Sequence, residues 1–239
     1  MHFDTKIGRN YSRIHIENIT ILCHGLPFER GSVVEKSYND LALFFAINGI
    51  NSLIFDFSGT GFSDGEFSIK NWVDDLKNIC GEFSSVNLVG FSMGGVVAVN
   101  VAAEADNVES LVIASSPCCA DTIRHTKYIY ENAKSKEVLR GLRDFESFDR
   151  MFKQEMSQFE PIRRISKVEC PVLIVHGTSD DVVPFENGVM LFEKASEPKT
   201  FLEVRNGSHF LRQERIVIEK IVEWLKKEKK GVSQEVITL

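Results

Sequence analysis

The sequence predicts an α/β fold, a mostly parallel central sheet with helices on both faces. Three observations carry that prediction. Apolar runs such as Leu111–Ile113 and Val172–Val175 show no polar alternation, as expected of strands buried on both faces. Stretches with helical spacing of apolar residues separate these runs. The runs also end in Gly, Ser or His, the residues of tight turns between strand and helix.

Taken in order, residues 19–23 read as a strand running into His24-Gly25, and 40–47 as a helix stopped by Asn48-Gly49. Residues 53–57 read as a strand entering a glycine-rich loop. The 72–83 stretch puts Trp72, Val73, Leu76, Ile79, Cys80 and Phe83 on one broad helical face. Residues 86–91 form a strand, followed by a helix of small residues over 94–103. Strands follow at 111–115 and 172–176, with a last one at 201–204. A helix over 211–230 then ends at Gly231.

The stretch 117–168 breaks the alternation. Phe145, Phe148, Phe152, Met156 and Phe159 are spaced three or four apart, which sets them on one helical stripe. A helical stretch between two buried strands reads as an inserted cap, so residues 1–116 and 169–239 are expected to form the core and 117–168 a small helical cap. The stripe has two readings, the greasy side of an ordinary core helix or the underside of a lid. The second makes Phe148 and Phe152 substrate-pocket residues.

The chain has 239 residues, 43% of them hydrophobic, which suits one large domain with a core that needs no disulfides. With 28 Lys and Arg against 34 Asp and Glu, the net charge is −6, which argues against nucleic acid and anionic membrane surfaces as partners. Five cysteines, an odd number without a CxxC pair, fit reduced thiols in the cytoplasm. The first ten residues lack the apolar run of a signal peptide. The longest apolar run, Leu41–Ile47, is far shorter than the roughly 20 residues that span a bilayer.

The sharpest chemical feature is Gly90-Phe91-Ser92-Met93-Gly94, a G-x-S-x-G set between a strand and a helix. A serine on that turn needs a tight backbone and glycine on both sides, and it presents its hydroxyl at the strand's C-terminal end. Such a hydroxyl needs a base, and the base needs an orienting acid. His176-Gly177-Thr178-Ser179-Asp180-Asp181 offers two carboxylates after one strand, and Gly207-Ser208-His209 offers an imidazole after the next. The chain order is Ser, Asp, His, as expected of this turn type.

Together with His24-Gly25-Leu26, the Asp56-x-x-Gly59-x-Gly61-x-Ser63-x-Gly65 loop and the Val183-Pro184 pair, these motifs resemble the α/β-hydrolase superfamily. The likeness is to its serine esterases and aminopeptidase-like members with a helical cap, and it runs from about residue 19 to 230. It implies Ser92 as nucleophile, His209 as general base and then acid, and Asp180 as the carboxylate that orients it, with Asp181 as rival. It also implies an oxyanion hole from the backbone N–H groups of Leu26 and Met93. Ser58 departs from the family, where many relatives carry arginine before that glycine. His24 and His176 read as loop-shaping residues, and His2, His15 and His125 have no partner visible in sequence.

No metal is expected, because no cluster of His, Asp and Glu has ligand spacing, and no cofactor is needed. Gly59-Thr60-Gly61 is out of register for a dinucleotide loop. The expected activity is hydrolysis of carboxylic esters through an acyl-enzyme. Peptide or amide hydrolysis, thioester hydrolysis and acyl transfer use the same machinery, and a non-catalytic ligand-binding member of the fold is the alternative of another class. The expected partners are a small-molecule ester or acyl substrate and, at most, a second copy in a homodimer.

Overall fold

The apolar strands alternate their side chains between two cores. Ile21, Leu88, Ile113 and Ile174 point into one, and Leu22, Val89, Val112 and Leu173 into the other. Burial on both faces is what a sheet covered by helices on each side requires. A computed structural model describes residues 18–123 and 126–239, together with the backbone alone of 2–7 and 10–15. His125 and the side chains of His2 and His15 therefore lie outside the described residues.

The elements in chain order are β1 (His2–Ile7), β2 (Asn10–His15), β3 (Asn18–Cys23), α1 (Ser37–Ile47), β4 (Ser52–Ile54), α2 (Ile69–Gly81), β5 (Ser85–Phe91), α3 (Met93–Ala102) and β6 (Val108–Ala114). They continue with α4 (Thr126–Ser135), α5 (Phe145–Gln158), α6 (Pro161–Arg164), β7 (Val172–Gly177), α7 (Glu186–Lys194), β8 (Lys199–Arg205), α8 (Arg215–Lys226) and β9 (Val232–Thr238). β1 and β2 pair with each other, antiparallel. The remaining strands form one seven-stranded sheet in the order β4-β3-β5-β6-β7-β8-β9, parallel at every pairing.

Local chemistry sets the helix boundaries. Ser68 caps α2 by accepting the Asn71 amide at 2.9 Å, and Asp144 caps α5 by accepting that of Ser147 at 2.8 Å. α1 and α8 bury Phe45, Val217, Ile221 and their neighbours against one face of the sheet. α2, α3, α5 and α7 supply the core on the other.

Three expectations change. The strand expected at 53–57 pairs only over Ser52–Ile54. Beyond it the Phe57 amide donates to a His24 ring nitrogen, not to a neighbouring strand. Phe201–Val204 lies in β8, which is not the last strand, because β9 adds in parallel beside it. The helix expected over 211–230 is a short 3-10 turn, Leu211–Gln213, followed by α8. α7 and the β1–β2 pair are additions.

Among the described residues of 117–168 no strand forms. This helical stretch lies along the flank of the core. Glu155 accepts the Ile69 amide at the start of α2 at 2.6 Å, and the Arg140 guanidinium donates to the Gly61 and Thr60 carbonyls at 2.9 and 3.1 Å. No helix among the described residues is long and apolar enough to cross a membrane.

Candidate active site

In a parallel sheet every strand ends at the same edge, and loops that follow those ends converge. β3 delivers His24-Gly25-Leu26 to that edge, β5 delivers Ser92, β7 leads to Asp180, and β8 leads to His209.

Ser92 sits at φ 52°, ψ −121°, a left-handed conformation that serine rarely adopts. The two flanking glycines permit the turn. A Cβ at Gly90 would fall 2.5 Å from the Gly94 carbonyl oxygen, and one at Gly94 would fall 2.3 Å from that of Cys23. The strain is held by the strand behind it, where the Ser92 amide donates to the Ala114 carbonyl at 2.8 Å.

The Ser92 Oγ lies 3.1 Å from His209 Nε2, and His209 Nδ1 lies 2.9 Å from Asp180 Oδ2. This assigns the Nδ1 proton to the carboxylate side, which leaves Nε2 as an acceptor facing the serine hydroxyl. Asp180 Oδ1 accepts the Val182 and Val183 amides at 3.0 and 2.8 Å. Burial alone would raise the Asp180 carboxyl, but hydrogen bonds from His176 and His209 and the Val183 amide outweigh it and hold the group well below the usual carboxylate range. Asp181 is exposed, so the structure brings Asp180 and not its neighbour to the imidazole.

The two other histidines hold loops. His24 Nδ1 donates to its neighbour's carbonyl, Gly25, at 2.6 Å, and Nε2 accepts the Phe57 amide at 3.1 Å. Burial lowers its pKa to about 4, which keeps it neutral in that role. His176 Nε2 donates to the Val183 carbonyl at 2.9 Å and fixes the turn that carries Asp180. Ser58 is held by Asp75, which accepts its amide at 2.8 Å and its hydroxyl at 2.9 Å.

Gly25 backs directly onto the serine, since a Cβ there would lie 2.9 Å from the Ser92 Cβ. Leu26 follows it on the wall of a cavity of about 550 Å³ that opens beside Ser92 and His209. Met93 is the first residue of α3, so its N–H is among those without an intrahelical acceptor.

Phe148 and Phe152, expected as pocket residues, do not line this cavity. They are 3% and 1% exposed, stack on each other at 5.4 Å and pack towards Phe67 in the core. Their stripe faces α2 and its preceding loop, so the ordinary core reading holds. Among the described residues of 117–168 none lines the cavity. Its aromatic wall comes instead from Tyr38, Phe91 and an edge-on pair, Phe28 and Phe210, with ring centroids 5.5 Å apart. Phe28 and Phe210 stand singly in loops, where no periodicity marks them. Among the described residues no group of His, Cys, Asp or Glu is arranged to hold a metal.

A model of the family described as serine aminopeptidase, S33, matches residues 15–141, and one of the prolyl oligopeptidase family matches residues 80–231. Alpha/beta hydrolase domain-containing protein 17B of Homo sapiens is 29% identical over 224 residues, covering 90% of this chain and 68% of its own. Among solved structures, the monoacylglycerol lipase of Paleococcus ferrophilus superposes with a TM-score of 0.67 at 21% identity, covering 87% of this chain and 93% of its own. Est1E of Butyrivibrio proteoclasticus, solved with ferulic acid bound, gives 0.65 at 20% identity, with coverages of 87% and 88%. At that identity the two structures speak for the fold.

Proposed function

The chain belongs to the α/β-hydrolase superfamily of serine hydrolases, and within it we propose that it cleaves carboxylic esters through an acyl-enzyme on Ser92. The observation that carries the reading is the hydrogen-bonded line from Ser92 through His209 to Asp180, opening on a cavity large enough for a small ester.

The Ser92 hydroxyl attacks the ester carbonyl as its proton passes to His209 Nε2. Asp180 keeps the imidazole in the tautomer that can receive that proton and stabilises the imidazolium. The negative charge on the former carbonyl oxygen is met by the N–H groups of Leu26 and Met93. Collapse of the tetrahedral intermediate breaks the bond to the leaving oxygen, which takes the proton from His209. Water then enters, gives a proton to His209 and attacks the acyl carbonyl. The acid leaves, and the proton returns to Ser92 Oγ.

Peptide hydrolysis is the second reading, favoured by the descriptions of both matching families. An aminopeptidase needs an anion to receive the substrate's α-ammonium group. Among the described residues that line the cavity the carboxylate outside the triad is Glu29, and it is paired with Lys36 at 3.4 Å. That pairing supports the ester reading. The test is a fluorophosphonate probe together with a panel of p-nitrophenyl esters set beside aminoacyl arylamides. Labelling on Ser92 with ester turnover at least tenfold above arylamide turnover is expected, and the reverse ratio overturns the ester assignment.

A further inference from the structure

We propose that Arg212 makes the cavity a site for esters that carry a carboxylate, and that its guanidinium holds that carboxylate while Ser92 attacks the ester carbonyl. The inference rests on the acyl-enzyme reading above and names its substrate class.

Arg212 stands three residues beyond His209 in the 3-10 turn Leu211–Gln213 and lines the same cavity as Ser92. The turn is fixed. Leu211 is buried beneath it, the Gln213 amide donates to the Phe210 carbonyl at 2.8 Å, and the Glu214 amide donates to that of Leu211 at 3.1 Å. The guanidinium lies over the Tyr38 ring, 4.8 Å from its centroid. A cation–π contact of this kind holds the group over the ring and leaves its N–H groups available to a planar acceptor.

No partner for that edge exists among the described residues, where Arg212 has neither an ion pair nor a hydrogen bond. Other arginines are engaged: Arg215 pairs with Glu219 at 2.8 Å, and Arg140 donates to two carbonyls. The other charged groups on the cavity wall, Glu29 and Lys36, face each other, and the Lys36 ammonium also donates to the Arg30 carbonyl. The wall is thus left with one uncompensated positive charge, carried by a fork of donors whose geometry fits a carboxylate. A phosphate dianion asks for a second free cation, which the wall does not offer.

The test compares the neutral ester p-nitrophenyl butyrate with two carboxylate esters, mono-p-nitrophenyl glutarate and 4-butyryloxybenzoate, which carry the charge on the acyl and leaving-group sides respectively. 1-Butyrylglycerol 3-phosphate serves as the phosphate arm. At least one carboxylate ester is expected to exceed the neutral ester about tenfold in kcat/KM, the factor of one charge-assisted hydrogen bond. Arg212→Gln should bring that ratio near one, chiefly through KM, and Arg212→Lys should keep part of it. An unchanged melting temperature for both variants separates lost recognition from lost folding. No preference in the wild type, a preference that survives Arg212→Gln, or a phosphate ester preferred over both carboxylates each overturns the proposal. The acyl-enzyme reading is judged separately, by fluorophosphonate labelling of Ser92. If that fails, calorimetric binding of glutarate to Ser92→Ala, lost on adding Arg212→Gln, still reads the anion site by itself.

Discussion

His176 Nε2 lies 3.5 Å from Asp180 Oδ2, the same oxygen that His209 Nδ1 reaches at 2.9 Å. The carboxylate therefore stands between two imidazoles, one holding its loop and one facing the serine. Asp180→Asn should lower kcat by about 10⁴-fold, because an amide cannot enforce the Nδ1–H tautomer or stabilise the imidazolium. Asp181→Asn, on an exposed neighbour, should stay within about twofold. Steady-state kinetics on the two variants decides it, and a crippled Asp181→Asn with a healthy Asp180→Asn sinks the assignment.

The strain at Ser92 gives a stability prediction independent of turnover. Alanine keeps the unfavourable positive φ, whereas glycine tolerates it. Ser92→Ala and Ser92→Gly should both lose fluorophosphonate labelling, and Ser92→Gly should be the more stable of the two by about 1 kcal/mol. Urea denaturation of the pair measures this. Equal stabilities would mean that the turn stores no strain.

Burial of His24 predicts a pH dependence of folding. Its pKa is lowered to about 4 from 6.5, first by desolvation. Above 6.5 neither the folded nor the unfolded ring is charged, and His24 contributes no slope. As pH falls from 6.5 towards 4, the unfolded chain binds a proton that the folded protein refuses, so stability drops, by about 3 kcal/mol over the whole interval. Asp180 acts in the same direction at lower pH. Its folded carboxyl lies below the unfolded one, so the stability it adds is lost as the pH falls past the unfolded value towards the folded one. His24→Gln should be less stable at neutral pH yet show a shallower loss between pH 6.5 and 4. Parallel stability curves for the two proteins would refute the role given to His24.

The triad candidates were legible because each sits where backbone chemistry restricts the sequence. Only glycine fits at Gly90 and Gly94, and both carboxylate and imidazole must follow strand ends. The Phe stripe of α5 was legible as a helix face, but periodicity states that a face is buried without stating against what. β9 carries no sequence signature, because Val232–Thr238 is almost wholly exposed and its hydrogen-bonded pairing to β8 needs no apolar pattern. The substrate wall was least legible. Phe28, Tyr38, Phe210 and Arg212 come from loops, one helix and a single 3-10 turn, and only folding makes them neighbours.

The two sets of phenylalanines should separate under mutation. Phe152 is fully buried between Phe67 and Phe148, so Phe152→Ala should cost about 3–5 kcal/mol of stability, the range for removing a core aromatic. It should leave the order of preference among acyl chain lengths as it is in the wild type, because the ring does not reach the cavity. Phe210 has the opposite character. It is 42% exposed, borders the cavity one residue from His209 and meets Phe28 edge-on. Truncating it removes apolar wall from the substrate without opening a hole in the core, so Phe210→Ala should shift stability by less than about 1 kcal/mol. It should raise KM for aryl esters several-fold and change KM for acetyl esters of small alcohols little, since only the larger group can rest on the ring. Thermal unfolding and ester kinetics on both variants provide the check. A change of chain-length preference in Phe152→Ala, with none in Phe210→Ala, would return the substrate wall to α5.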